Sequence, residues 1–172
     1  MDHDVDVLES DLPTTLADLR LQPQGLKDKV KESDEESCPA FGYLRGLKDR
    51  ALSIEFRFAD GHSLAYSYTL LAEYQHNPSA GILLKFLGDK VTLLVIQGSN
   101  LNAAINGISL YDRGLLRHRI TFVQEMSREQ LKRAGEREPT IDRIRVTSHR
   151  SDEAAPTLEW LKPFVEIDQL NR

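Results

Sequence analysis

Arginine and histidine side chains form the group of residues in this sequence that is best suited to binding chemistry. One set lies within residues 113–119, and a second set occupies alternate positions within residues 143–149. The members are Arg113, Arg117, His118, Arg119, Arg143, Arg145 and His149. A guanidinium group binds a phosphate or a carboxylate through paired hydrogen bonds. If the fold brings the two sets together, they form a site for an anionic ligand, including nucleic acid.

A structural interpretation accounts for the same residues. Cations near the end of a helix complement its dipole, and the solvent-facing side of a strand is commonly charged. His118 can instead pack with Ile120 and Phe122 as a core histidine if a strand begins early. We therefore expect the arginines to form a solvated surface, with anion binding as the alternative.

Serine-hydrolase chemistry is suggested by one short segment, Gly61-His62-Ser63-Leu64-Ala65, which is close to the Gly-x-Ser-x-Gly motif. In that motif the serine lies on a sharp turn from a strand into a helix. Here the segment joins two predicted strands, and Ala65 stands where the second glycine is required. We interpret Ser63 as an ordinary hairpin residue.

Metal and cofactor sites are not indicated. Cys38 is the only cysteine, and His62, the nearest histidine, is too distant in the sequence for the usual spacing of zinc ligands. Phosphate-binding loops, dinucleotide fingerprints and paired zinc-binding histidines do not occur in the sequence. We predict no catalytic residue, no metal and no cofactor.

Strands are the main elements that position these side chains. Apolar residues alternate over residues 52–58 and 64–68, which predicts a hairpin around Asp60-Gly61. A three-residue loop, 59–61, sets all the large apolar side chains on one face and places Gly61 where a left-handed residue is needed. The predicted pairs are Phe56–Leu64, Ile54–Tyr66 and Leu52–Tyr68.

A second hairpin is predicted around Gly88-Asp89, with a two-residue type II′ turn. The predicted pairs are Phe86–Val91, Leu84–Leu93 and Ile82–Val95. Apolar residues also occupy the opposite face of both strands, so we expect this strand pair to be covered on both sides.

The remaining elements are predicted from caps and alternation. A helix capped by Ser99-Asn100 is expected over roughly 101–118, and Gly107 and Gly114 weaken it and can split it in two. A fifth strand is expected over 120–125, a short helix over 127–134 with Ser127 as its cap, and a sixth strand over 141–148. The predicted fold class is α+β: an antiparallel β-meander or partial barrel of five to six strands, with one or two helices packed on one face.

Charge and length divide the chain into three parts. Residues 1–40 carry 11 acidic and 4 basic side chains, a net charge of −7, and are predicted to be an acidic, weakly ordered N-terminal arm. Residues 41–150 are predicted to be a single globular β-rich domain, and residues 151–172 a C-terminal extension. Residues 41–125 carry 7 acidic and 9 basic side chains and residues 126–172 carry 9 of each, so the chain after the arm is close to neutral.

The location is predicted to be cytoplasmic. The longest unbroken apolar run, Leu93–Ile96, is far shorter than the ~20 residues that a membrane helix needs, so no membrane association is expected. The first residues are acidic, whereas a secretory signal begins with basic residues, and a single cysteine forms no internal disulfide.

A non-enzymatic binding module is the function we predict, one that associates with a partner protein or with its own copy, because the strands offer edges for pairing. The first alternative is a binder of nucleic acid or another anion through the arginines, which the near-neutral charge of the chain after the arm disfavours. The second alternative is an enzyme whose residues meet only in three dimensions, such as His62 or His118 with Glu73 or Asp112.

Overall fold

The computed structural model describes residues 34–164, which are mostly β-sheet with few helical residues. The strands are β1 (Glu35–Ser37), β2 (Phe41–Leu44), β3 (Ser53–Arg57), β4 (Ser63–Ser67), β5 (Leu71–Asn77), β6 (Gly81–Leu87), β7 (Lys90–Gln97), β8 (Ala104–Ile105), β9 (Ile108–Ser109), β10 (Ile120–Gln124) and β11 (Arg143–Arg150). The helical segments are 3₁₀ turns at Tyr68–Leu70 and Leu115–Arg117, a π-helical turn at Leu110–Gly114 and the α-helix α1 at Arg128–Arg133.

The strands form two larger open sheets and one small hairpin. The five-stranded sheet has the order β1-β2-β10-β3-β4, in which β10 runs parallel to β3 and the other neighbours are antiparallel. The four-stranded sheet has the order β11-β7-β6-β5 and is antiparallel throughout, and β8 pairs with β9 alone. The predicted α+β class is confirmed. All six predicted strands are present, and five more accompany them.

The two large sheets share one apolar core. Ile54 and Phe56 of β3 and Leu84 and Phe86 of β6 are all fully buried in it. The rings of Phe56 and Phe86 meet edge to face with their centroids 6.1 Å apart, and Tyr66 of β4 stacks on Phe86 at 4.6 Å. Each such side chain contributes about 1.5–3 kcal/mol when it is buried from water. The core therefore holds the β3–β4 hairpin against the four-stranded sheet.

The predicted first hairpin is confirmed in its register. Ile54 pairs with Tyr66 and Phe56 with Leu64, and the Phe58 N–H donates to the His62 carbonyl at 2.9 Å, which leaves a three-residue loop. Gly61 has a φ of +90°, as that loop requires. Two side chains of the predicted apolar face are exposed: Leu52 by 86%, because it lies before β3 begins, and Leu64 by 40%.

The predicted register of the second hairpin is wrong by one residue. The observed pairs are Phe86–Thr92, Leu84–Leu94 and Ile82–Ile96. Both faces of these strands are apolar. A shift of one residue therefore still sets apolar side chains against apolar side chains, and the sequence pattern does not distinguish the two registers. The expectation that both faces are covered is confirmed, because Leu161 and Phe164 pack on the face opposite the main core.

No continuous helix spans the predicted range 101–118: the β8–β9 hairpin occupies its first half, and only residues 110–117 are helical. Asn106 and Gly107 form its turn with φ angles of 50° and 81°, the conformation of a type I′ turn, which Asn-Gly favours. The π-helical and 3₁₀ turns follow and end at His118, also left-handed at φ 53°. The short helix predicted over 127–134 is confirmed as α1, with a reciprocal capping box between Ser127 and Gln130.

Most of the predicted arm lies outside the described residues, since residues 1–33 are not described, and so do residues 165–172 of the predicted C-terminal extension. The last part of the predicted arm nevertheless contains β1, which pairs with β2 and extends the five-stranded sheet. Within residues 34–164, no helix combines the length and the apolar character needed to cross a membrane.

Candidate anion-binding site

Four arginines surround a cavity of about 410 Å³ at one end of the five-stranded sheet. We call it the arginine cavity and define it by Tyr43, Arg45, Asn106, Arg113, Arg117 and Arg119. Among the residues that line it, none carries a carboxylate. The cavity therefore concentrates positive charge on its walls.

Separate segments of the chain supply these side chains. β2 carries Tyr43, and Arg45 follows directly after that strand. Asn106 lies in the β8–β9 turn, and Arg113 and Arg117 lie on the π-helical and 3₁₀ turns that follow it. The Ser109 hydroxyl accepts a hydrogen bond from the Arg113 N–H at 3.3 Å and so caps the π-helical turn.

Arg119 forms the inner wall of the cavity and is only 2% exposed. Its Nε and Nη2 atoms donate to the Leu44 carbonyl at 2.9 and 2.7 Å, and Nη2 also donates to the Arg45 carbonyl. Burial lowers the pKa of its guanidinium, and the positive charges of Arg50 and Arg117 lower that pKa further. Arg119 therefore fixes the end of β2 and adds a buried positive charge beside the cavity.

Arg113 and Arg117 are exposed at the cavity's rim. Arg113 Nη1 donates to the Gly107 carbonyl at 3.0 Å, which orients the guanidinium and uses one of its donors. The Arg117 side chain makes no hydrogen bond or ion pair with any residue in the described range 34–164. These two guanidinium groups therefore retain donors for a ligand.

A polar network closes the side of the cavity near β1. Tyr43 donates its hydroxyl proton to Glu36 at 2.9 Å, and Asn106 Nδ2 donates to the same hydroxyl at 3.2 Å. Arg45 Nη1 lies 2.8 Å from the other oxygen of Glu36. Burial raises the pKa of the Tyr43 hydroxyl. Glu36 thus compensates the charge of Arg45, while the other three cavity arginines have no ion pair with a described residue.

His118 belongs to a neighbouring aromatic cluster and does not line the cavity. Its Nε2 atom is 2.7 Å from the Tyr74 hydroxyl, and its ring stacks on Tyr68 with the centroids 4.5 Å apart. Burial, followed by the charge of Arg50, lowers the pKa of the imidazole. Tyr68 donates its own hydroxyl proton to the Ile120 carbonyl at 2.8 Å. His118 therefore has partners like those of a packed histidine.

Arg143, Arg145 and His149 lie on another surface, the edge strand β11 of the four-stranded sheet. Arg145 Nε donates to the side chain of Gln97 at 2.9 Å. The Nδ1 atom of His149 is buried and has no partner among residues 34–164. Of the seven candidate residues, only Arg113, Arg117 and Arg119 line the arginine cavity. The other four, His118, Arg143, Arg145 and His149, do not line it.

The histidine–carboxylate pairs considered for an enzyme are not formed within the described residues. His62 lies beside Asp60 at 3.1 Å, and both are exposed at the hairpin loop. Glu73 accepts hydrogen bonds from Gln75 and Lys85, and Asp112 accepts one from Asn102 at 2.8 Å. No group of three histidine, cysteine or acidic residues that could hold a metal occurs among residues 34–164.

Tyr43, Arg45 and Asn106 are cavity residues that the sequence analysis missed. The available signal was the dipeptide Asn106-Gly107 between short apolar pairs, which is a strong hairpin indicator. The capping residues Ser99 and Asn100 predict one helix over 101–118 instead and so obscure this hairpin. Nothing in the sequence indicates that Tyr43 and Arg45 face this hairpin, because the contact joins distant segments.

Comparison with known proteins found no matching family model, no matching curated protein and no matching solved structure.

Proposed function

We propose that this protein is a non-enzymatic binding module that holds a small phosphate-bearing ligand in the arginine cavity. The observation that carries the proposal is the convergence of Arg113, Arg117 and Arg119, together with Arg45, around a cavity whose lining has no carboxylate. Arginine is the side chain best suited to such ligands, because its planar group donates two parallel hydrogen bonds to oxyanions.

Like charges at close range support an anionic ligand. Burial and the charge of Arg50 lower the pKa of Arg119, and the charge of Arg117 lowers it further, so the guanidinium groups of Arg117 and Arg119 repel each other. A bound anion relieves that repulsion, and its oxygens accept hydrogen bonds from the free N–H groups of Arg113 and Arg117. A phosphate suits the site better than a carboxylate because it offers more oxygens and more negative charge.

The size of the cavity favours a small molecule over a nucleic-acid strand. A volume of about 410 Å³ lies in the range that encloses small ligands. Nucleic-acid binding usually needs an extended basic surface. Here Arg143 and Arg145 do not line the cavity, and the chain as a whole carries a net charge of −5.

The experiment is a calorimetric titration of the full chain with inorganic pyrophosphate at low and physiological salt. We expect saturable binding that the double variant Arg113→Gln/Arg117→Gln weakens about tenfold or more, since each hydrogen bond to a charged group contributes about 1.5–3 kcal/mol. The matched control is Arg143→Gln/Arg145→Gln, which removes the same charge from β11. It should bind nearly as well as the intact protein.

Two results would contradict the proposal. Equal weakening by both double variants would mean that the anion responds to overall charge and not to the cavity. Absence of binding by the intact protein, with citrate as well as pyrophosphate, would exclude both phosphate and carboxylate ligands at this site.

The cytoplasmic location and the association with a protein partner or a second copy remain proposals. The first still rests on the sequence alone. The second has its own support in the edge of β4, which is separate from the arginine cavity.

A further inference from the structure

The outer edge of the five-stranded sheet is formed by β4, and we propose that it pairs in an antiparallel manner with β4 of a second copy of this chain. The result is a two-fold dimer in which one continuous sheet crosses both copies. The proposal is independent of the arginine cavity, since β4 contributes no residue to it.

Backbone groups of β4 point away from the sheet at alternate residues. The Phe58 N–H donates to the His62 carbonyl, and the Tyr68 N–H donates to the Leu52 carbonyl. In an antiparallel ladder this pattern directs the even-numbered residues of β4 toward β3. The N–H and C=O groups of Ser63, Ala65 and Ser67 therefore point outward, and no strand within residues 34–164 pairs with them.

The other three sheet edges carry features that discourage pairing. β1 is three residues long and has two glutamates, and β11 carries four basic side chains over its length. β5 is interrupted by an irregularity between Leu71 and Glu73. Charges, short strands and bulges are the usual means by which proteins prevent edges from associating. The sequence of β4, Ser-Leu-Ala-Tyr-Ser, has no charge, no proline and no such irregularity.

A second copy fits this edge because two-fold pairing sets the strand against itself. With Ala65 on the axis, Ala65 faces its own counterpart and Ser63 faces Ser67, so that no charged groups oppose each other. On the inner face, Leu64 then lies opposite Tyr66 of the second copy. Leu64 is 40% exposed in the single chain, and this contact covers an apolar side chain that the fold leaves open to water.

The test measures the mass of the full chain by sedimentation over a series of concentrations. We expect a concentration-dependent dimer that Ala65→Pro converts to monomer. Proline removes only the outward N–H of Ala65, which has no partner in the described part of the single chain, and edge strands tolerate proline at such positions. Amide exchange adds a local readout: the Ser63 and Ser67 amides should be protected in the dimer and unprotected in the monomeric variant.

A second variant keeps the test decisive if Ala65→Pro fails to fold. Ala65→Lys sets two like charges face to face on the axis and should weaken dimerisation at least about tenfold. Ala154→Lys adds the same charge at an exposed position after β11 and should leave the dimer unchanged.

Three outcomes would overturn the proposal. The first is a protein that sediments as a monomer at every concentration. This outcome includes the case in which residues 1–33 of the same chain occupy the edge of β4. Another is a dimer that persists in Ala65→Lys, since the interface would then lie elsewhere. The third is rapid exchange of the Ser63 and Ser67 amides in a protein that sediments as a dimer.

Discussion

Residues of one type have different roles around the arginine cavity. Arg119 is buried and donates to the backbone carbonyls of Leu44 and Arg45, whereas Arg117 is exposed and has no partner in the described residues. The first is part of the fold, and the second is available to a ligand. Sequence alone identified both as candidates, but it could not separate them, because the carbonyls that Arg119 meets belong to a strand about 75 residues earlier in the chain.

Replacing Arg119 by glutamine should destabilise the protein, whereas Arg117→Gln should not. The first change removes the charged donors that reach the Leu44 and Arg45 carbonyls, and we expect a loss of about 2–4 kcal/mol. The second change removes an exposed charge and should alter the free energy of unfolding by no more than about 0.5 kcal/mol. Urea unfolding of both variants measures the difference. Equal effects would show that Arg119 does not anchor β2.

The stability of the protein should fall below about pH 6.5 because of His118. Burial and Arg50 lower the imidazole pKa in the folded chain, so the unfolded chain binds a proton first as the pH falls. The stabilisation is present above the unfolded pKa and is lost as the pH decreases toward the folded pKa. His118→Asn should flatten this part of the profile, and asparagine tolerates the left-handed backbone.

The matched control for that measurement is His62→Asn, since His62 is exposed at the hairpin loop. Melting temperatures of the three proteins between pH 5 and 8 give the comparison. If His118→Asn retains the slope of the intact protein, another group is responsible for the acid sensitivity.

At the scale of elements, the two hairpins show when a sequence determines register. β3 and β4 have one apolar and one polar face, so only one register buries Ile54 and Phe56, and the prediction was correct. β6 and β7 are apolar on both faces, so neighbouring registers bury similar area, and the prediction missed by one residue. Alternation specifies register only where the two faces differ.

Gly61 permits a direct test of the first hairpin's turn. Its φ is +90°, and no atom lies within 4 Å of the position where a Cβ would stand, so a substitution meets backbone strain and not a clash. We expect Gly61→Val to cost roughly 1–3 kcal/mol and Gly61→Asn distinctly less, because asparagine adopts positive φ more readily. Thermal unfolding compares the two. Similar losses for both would argue against a left-handed residue in the loop.

At the scale of the molecule, the four-stranded sheet is covered on both sides. Its inner face joins the five-stranded sheet in the main core, and its outer face carries Leu83, Leu93 and Val95 under Leu161 and Phe164. The segment after β11, interpreted from sequence as an extension of the domain, thus supplies apolar side chains to the fold. Composition alone does not reveal this, because Leu158, Leu161 and Phe164 are mixed with polar residues and prolines over a short segment, and nothing in the sequence indicates which surface they cover.

The importance of this outer cluster can be measured with one pair of variants. Leu161 is 2% exposed and Leu52 is 86% exposed, so Leu161→Ala and Leu52→Ala remove the same atoms from a buried and an open position. A buried leucine replaced by alanine costs about 2–5 kcal/mol, through lost burial and the cavity that remains. The exposed change should stay within about 0.5 kcal/mol.

Urea unfolding is the appropriate measurement. If the slope of the unfolding free energy against urea concentration is the same in both variants, a shift of the midpoint reports stability and not a change in compactness. We expect the midpoint to fall for Leu161→Ala and to remain in place for Leu52→Ala. If the two variants unfold alike, the segment after β11 does not hold the outer face of the four-stranded sheet in solution. The sheet would then expose the apolar side chains Leu83, Leu93 and Val95 to water, a state that is unfavourable.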